Sequence, residues 1–162
     1  MINEDNQRKG ECKSDEEIVP ESVPDKGFWL QNQNLSKCLK LVENDKIIGT
    51  SCTSPTPPDM LWIWTNRTER LLMNVKTLEC MERQSFDNGK VSLEPCTVTI
   101  RWQRMTCTKE QYGIKIRWKE VRDPFLHLDN NFDVISKENG NQLWKSNERN
   151  LCDANITYAG TE

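Results

Sequence analysis

The fold is decided by residues 38–64, CLKLVENDKIIGTSCTSPTPPDMLWIW, and by their echo at residues 80–102, CMERQSFDNGKVSLEPCTVTIRW. Each stretch opens on a cysteine, closes a second cysteine about fifteen residues later and ends at tryptophan. Cys38 to Cys80 is 42 residues and Cys52 to Cys96 is 44. Trp64 to Trp102 is 38 and Trp102 to Trp144 is 42. A third unit keeps its tryptophan but lacks an internal cysteine pair; Leu126, Leu128, Val134 and Ile135 stand at its strand positions. Self-similarity at about forty residues signals a repeat architecture. Three such units predict an all-β chain, a β-trefoil of three four-stranded lobes stapled by disulfides. A four-bladed propeller needs another unit, and a sandwich gives no reason for threefold spacing.

The local pattern agrees. Apolar runs are short, such as Phe28-Trp29-Leu30, Met60 to Trp64 and Leu71-Leu72-Met73, and none sustains a helical period. Residues 114–119, Ile-Lys-Ile-Arg-Trp-Lys, alternate with period two, so Ile114, Ile116 and Trp118 share one strand face. Turn formers punctuate the chain at Asn44-Asp45, Pro55 to Asp59, Asp87-Asn88-Gly89, Asp129-Asn130-Asn131 and Asn139-Gly140-Asn141.

The 162 residues divide unevenly. Residues 1–26 carry eight acids and four bases, are broken by Pro20 and Pro24, and read as a flexible acidic leader. Cys12 lies there, as an incidental thiol or one bridged outside this chain. The domain is expected over 27–158, with a tail at 159–162. Subtracting the leader from the 25 acids and 22 bases leaves seventeen acids and eighteen bases, so the folded part is near neutral and a general nucleic-acid partner is not expected.

Seven cysteines without a C-x₂₋₄-C pair, beside a single histidine, argue against zinc and for an oxidising, extracellular compartment. Symmetry of the repeat favours Cys38–Cys52 and Cys80–Cys96 within units, leaving Cys107 and Cys152 to bracket the third. Sequons at Asn34, Asn66 and Asn155 are candidate glycosylation sites. No apolar run reaches membrane-spanning length, and residues 1–26 hold no signal-peptide core. The expectation is therefore either a true start upstream of Met1 or a Met1 that opens an incomplete gene sequence.

These residues resemble a known family. Phe28 to Cys38, Asp59 to Trp64, Ser92 to Cys107, and Leu143-Trp144-Lys145 with Asn150-Leu151-Cys152 are similar to the cysteine-rich, ricin B-type domain of mannose-receptor-family proteins. Within that family the likeness is to the secreted-phospholipase-receptor and dendritic-cell-receptor branch, and it covers residues 27 to about 158. It implies a β-trefoil, the three disulfides above and an N-terminal place on a multi-domain endocytic receptor. In the mannose receptor itself the domain is a lectin for sulfated N-acetylgalactosamine, with a tryptophan stacked on the sugar three positions before the closing tryptophan. Here that place holds Asn141. The expected function is extracellular recognition, either of protein and neighbouring receptor domains or, as the alternative, of sulfated or acidic glycans.

No motif for catalysis or a cofactor is present: no G-x-S-x-G, no phosphate loop and no H-E-x-x-H. His127, between Leu126 and Leu128, reads as a surface residue. Trp62, Trp64, Trp102 and Trp144 read as core, while Trp29 and Trp118, off the repeat, are candidates for exposure. Arg101, Arg104, Lys109, Lys115, Arg117, Lys119 and Arg122 read first as a solvated strand face and second as a polyanion site. In the third unit's loop, Lys137, Asn139, Asn141 and Gln142 are the candidate ligand-binding residues.

Overall fold

The computed structural model describes residues 27–65, 69–84, 89–119, 122 and 124–153. The leader with Cys12, the sequons Asn66 and Asn155, and the tail lie outside them. Among the described residues, twelve strands run in chain order: β1 Leu30–Asn32, β2 Lys37–Val42, β3 Lys46–Thr50, β4 Trp62–Thr65, β5 Leu71–Asn74, β6 Glu79–Arg83, β7 Gly89–Pro95, β8 Met105–Lys109, β9 Ile114–Trp118, β10 Phe125–Leu128, β11 Val134–Lys137 and β12 Trp144–Ser146. Short 3-10 turns occupy Glu43–Asp45, Pro58–Met60 and Arg101–Gln103.

The pairing repeats every fourth strand. Ladders join β1 to β12, β4 to β5 and β8 to β9. The ring closes through Phe28–Trp62, Arg70–Met105 and the single β9–β12 pair Ile114–Trp144. Hairpins β2–β3, β6–β7 and β10–β11 cover one end of that ring and touch one another through Lys46–Ser92, Ile135–Lys90 and Ile48–Asp133. A closed ring leaves few sheet edges to protect.

Alternation within strands fills the interior. Leu39, Ile47, Trp62, Trp64, Leu72, Met81, Leu93, Ile116, Trp118, Leu126, Leu128 and Trp144 belong to one buried cluster. Burying aromatic side chains of this size supplies a large share of the hydrophobic stabilisation. Trp118 is completely buried, contrary to the expectation of partial exposure. It is off the cysteine–tryptophan repeat, yet its alternation with Ile116 turns it inward.

The tryptophan equivalences also differ from the expected ones. The Trp62 and Trp144 indoles donate to the Leu39 and Leu126 carbonyls at 3.3 Å each, in matching hairpins. The corresponding place in the second unit is taken by buried Met105. Trp102 instead sits in the 3-10 turn before β8, half-buried, with the Arg83 guanidinium 4.9 Å from its ring centre.

Two residues before Trp144, Gln142 is turned into the protein. Its Oε1 accepts from Leu128 N at 2.8 Å and from Asn32 Nδ2 at 2.7 Å, and its Nε2 donates to Leu128 O at 2.8 Å. The expectation that Gln142 meets ligand is corrected: its amide is committed to joining β10 to the end of β1. Gln103 stands in the same relation to Met105, accepting from Thr97 N and donating to Pro95 O, each at 2.9 Å. Gln142→Leu leaves three buried polar groups without their partner and is expected to cost about 2–4 kcal/mol. Urea unfolding of variant and wild type measures it.

Among the described residues, three disulfides complete the frame. Cys38–Cys52 and Cys80–Cys96 each lie within a hairpin unit, 14 and 16 residues apart. Cys107–Cys152 spans 45 residues and ties the C-terminal segment to β8.

Candidate functional site

The strand register places chemically different side chains at equivalent positions of the three units. Cys38 on β2 faces Gln31 and Thr50. Cys80 on β6 faces Met73 and Glu94. Phe125 on β10 faces Arg117 and Lys137. The first two units therefore carry a disulfide where the third carries a phenyl ring.

That ring lies among cations. Buried Leu126 and Leu128 leave Phe125 and His127 on the opposite, half-buried face of β10. Lys115 Nζ and Arg117 Cζ each stand 5.6 Å from the Phe125 ring centre. Lys137 is the cross-strand partner on the other side. Gly140 folds the following loop against the ring: a Cβ there would come within 2.8 Å of Phe125 Cβ. Any larger residue at 140 would push the loop from the aromatic surface. Arg122 reaches Glu138 at 2.5 Å, adding an ion pair beside the patch. His127 is held below its ordinary value, by burial first and then by Lys137, with Asp129 opposing.

The arrangement offers a half-buried aromatic ring with two cations over it. It suits a ligand with an apolar face and an anionic group. A cation over a ring at a partly exposed site contributes about 0.5–1 kcal/mol, so ligand displaces it at small cost.

The structure thus gathers Lys137 from the expected loop with Lys115 and Arg117 from the basic stretch. Asn139 and Asn141 are exposed on the loop after β11, while Gln142 points inward. Arg101, Arg104 and Lys109 lie on other segments and are not part of this row. Phe125 was missed in sequence, although it falls 45 residues after Cys80, near the period that relates Cys80 to Cys38. Asn34 is exposed on the β1–β2 turn, its Oδ1 accepting from Leu143 N at 3.3 Å.

A second cleft, about 640 Å³, lies where the three hairpins meet and is lined by Asp45, Lys46, Lys90, Glu94, Asp129 and Asp133 among others. Near it, Glu79 is held above the usual carboxylate range by burial, then by Asp45 and Glu94. A raised folded value means this group's stabilising contribution is complete below the unfolded value of 4.5 and is lost as pH rises through the folded one. Glu79→Gln should leave stability unchanged below that pH and increase it at neutral pH. Paired thermal melts between acid and neutral pH would show a constant difference if the argument were wrong. Among the described residues, no cluster of three His, Cys, Asp or Glu side chains suits a metal ion.

The chain has a ricin B-type lectin fold, as its solved neighbours establish. The Rhizoctonia solani agglutinin matches at 23% identity and a TM-score of 0.59, covering 79% of this chain and 98% of that one. A Culex quinquefasciatus salivary protein of a cysteine- and tryptophan-rich family matches at 14% identity and 0.61, covering 81% and 98%. The Macrolepiota procera ricin B-like lectin, solved with lactose, matches at 12% identity and 0.51, covering 81% and 94%. The chain spans 31% of the length of a Clostridium perfringens endo-β-galactosidase that it also matches. No family model and no curated protein sequence matches it.

Proposed function

We propose that this chain is an extracellular carbohydrate-recognition module, a β-trefoil of three four-stranded units (β1–β4, β5–β8 and β9–β12) whose third unit binds an acidic glycan at Phe125. The observation that carries the reading is the Phe125 ring, set between Arg117 and Lys137 in register with Lys115 close by. The ring supplies an apolar platform for a sugar face. The cations supply charge-assisted hydrogen bonds to a sulfate or carboxylate. Lys137, Asn139 and Asn141 border the ligand, with Phe125 taking the aromatic role absent at Asn141. The lectins among the solved neighbours support carbohydrate as the ligand class.

The module acts by binding, without catalysis. The sequence resemblance supports a place on the outer part of an endocytic receptor, and Cys38–Cys52, Cys80–Cys96 and Cys107–Cys152 suit that oxidising setting. Asn34, Asn66 and Asn155 are the proposed glycosylation sites. Binding of a protein ligand or of neighbouring receptor domains, the first expectation from sequence, becomes the second reading.

Calorimetric titration of the oxidised domain with a sulfated N-acetylgalactosamine and with its unsulfated parent tests the proposal. Saturable binding that needs the sulfate and falls about tenfold or more in Phe125→Ala supports it. Equal binding by the variant removes the site from Phe125.

A further inference from the structure

The three disulfides differ in how much protein covers them. Cys80 and Cys96 are 0% and 2% exposed and share a core cluster with Leu71 and Met73. Ile63, Leu78 and Val98 pack against that cluster. Cys107 is half-buried against the main core. Its partner Cys152 is half-buried too, on the strap that Arg70 holds by the Leu151, Cys152 and Asp153 carbonyls. Among the described residues, Cys52 alone of the bridged cysteines is exposed.

The sequence around Cys52 accounts for this. Cys38 sits within β2 and is 1% exposed. Cys52 stands two residues beyond the end of β3 at Thr50, in a stretch, 51–55, that is exposed throughout and joins no strand. Pro55, Pro57 and Pro58 follow, and each lacks the N–H that a continued ladder would use. The bridge therefore fastens an uncovered segment to a buried strand.

A cleft of about 370 Å³ opens onto it, lined by both cysteines together with Trp29, Gln31, Thr53 and Met60 among others. Among the described residues, none that lines this cleft is charged, so nothing in its wall repels an incoming thiolate. The cleft that reaches Cys152, by contrast, includes Glu110, Glu148 and Asp153 in its lining. Thiol–disulfide exchange proceeds by thiolate attack on a disulfide sulfur, so its rate depends on access to that sulfur. Access here favours Cys52 over every other bridged cysteine.

We propose that Cys38–Cys52 is a thiol–disulfide exchange site, opened in the folded domain by a small thiol of the glutathione class. The incoming thiolate forms a bond to Cys52 Sγ. The Cys38–Cys52 bond breaks, and the Cys38 sulfur leaves with the electron pair and takes a proton from water. The product is a mixed disulfide on Cys52 beside a free Cys38 thiol. A second thiolate attacks the small thiol's sulfur in that mixed disulfide and releases Cys52, which takes a proton in turn. In sum, two small thiols are oxidised to one disulfide and the protein bridge gains two electrons and two protons. The β2–β3 ladder, from Cys38–Thr50 to Val42–Lys46, holds the hairpin without the bridge. Opening thus releases the segment around Cys52 from β2 and leaves the ring of strands closed.

The test uses the full chain with its three bridges formed and Cys12 blocked by N-ethylmaleimide. Reduced glutathione is added at about pH 8, where part of the thiol is ionised. Samples taken over time are quenched in acid, alkylated and mapped by peptide mass spectrometry. Cys38 and Cys52 are expected to react at least about tenfold faster than either other pair, as local access without global unfolding requires. Their rate should rise with glutathione concentration, with glutathione found on Cys52 and the alkyl group on Cys38. Equal rates at all three bridges, independent of glutathione concentration, would mean that reduction follows global unfolding, and would refute the site. Glutathione on Cys38, or first reaction at Cys107 and Cys152, refutes it as well. Cys38→Ala/Cys52→Ala checks that the opened state is folded: a cooperative melt with native circular dichroism is expected, and an unfolded variant overturns the proposal.

Discussion

Replacing Cys107 and Cys152 by alanine is expected to destabilise the domain by about 4 kcal/mol, the chain-entropy value for a loop of this length. The melting temperature should then drop by about 10 °C. The bridge closes 45 residues, against 14 and 16 for the other two, so it restricts the unfolded chain most. It also anchors a segment with little else regular to hold it. Leu151 is buried, its carbonyl accepting from the Trp64 indole at 2.9 Å and from Arg70 at 3.1 Å. Arg70 donates as well to the Cys152 and Asp153 carbonyls, while its guanidinium stands 5.3 Å from the Trp64 ring centre. Without the bridge the strap frays and these bonds are made only part of the time. The Cys38–Cys52 pair, closing a short loop already fixed by the β2–β3 ladder, should lose less when removed. Calorimetric scans of the two double variants measure the difference. Equal losses would place the strap's stability in its hydrogen bonds.

The second large effect concerns binding. Changing Lys115, Arg117 and Lys137 together to glutamate should abolish affinity for a sulfated glycan while lowering the melting temperature by about 5 °C. All three side chains are partly exposed on the outer strand face, so little packing is disturbed. Each charge-assisted hydrogen bond contributes about 1.5–3 kcal/mol, and losing two lowers affinity by about 100-fold or more. Repulsion from three new carboxylates adds to that. The same three changes made at Arg101, Arg104 and Lys109 keep the net charge equal but lie off the row, and should leave binding within about threefold. Matched losses in both triple variants would mean a diffuse electrostatic attraction rather than a site.

Much of the fold was legible because cysteine and tryptophan recur at a fixed period, and period is what a repeat architecture writes into sequence. Which tryptophan answers to which was harder to read. Trp102 fits the arithmetic, yet the turn Arg101–Gln103 displaces it outward and Met105 takes the buried place. Spacing alone cannot register such an insertion. Trp118 was misjudged by weighing the repeat above the alternation of its own strand. The candidate site was half legible. Lys137 and the basic residues of β9 stand out as letters, but only strand pairing brings Arg117 and Lys137 to either side of Phe125. Gln142 looked like a loop amide; its role in joining β10 to β1 depends on Asn32, 110 residues away. Trp29 was marked for exposure, and alternation with Phe28 and Leu30 explains why.

The most direct test of the central claim is a glycan-array screen of the oxidised domain and its Phe125→Ala variant. It includes sulfated galactosamines and heparan fragments, at low and at physiological salt. The account predicts selective binding of one acidic glycan that survives physiological salt and is lost in the variant. Binding to no glycan, or only salt-labile binding to every polyanion alike, would contradict it.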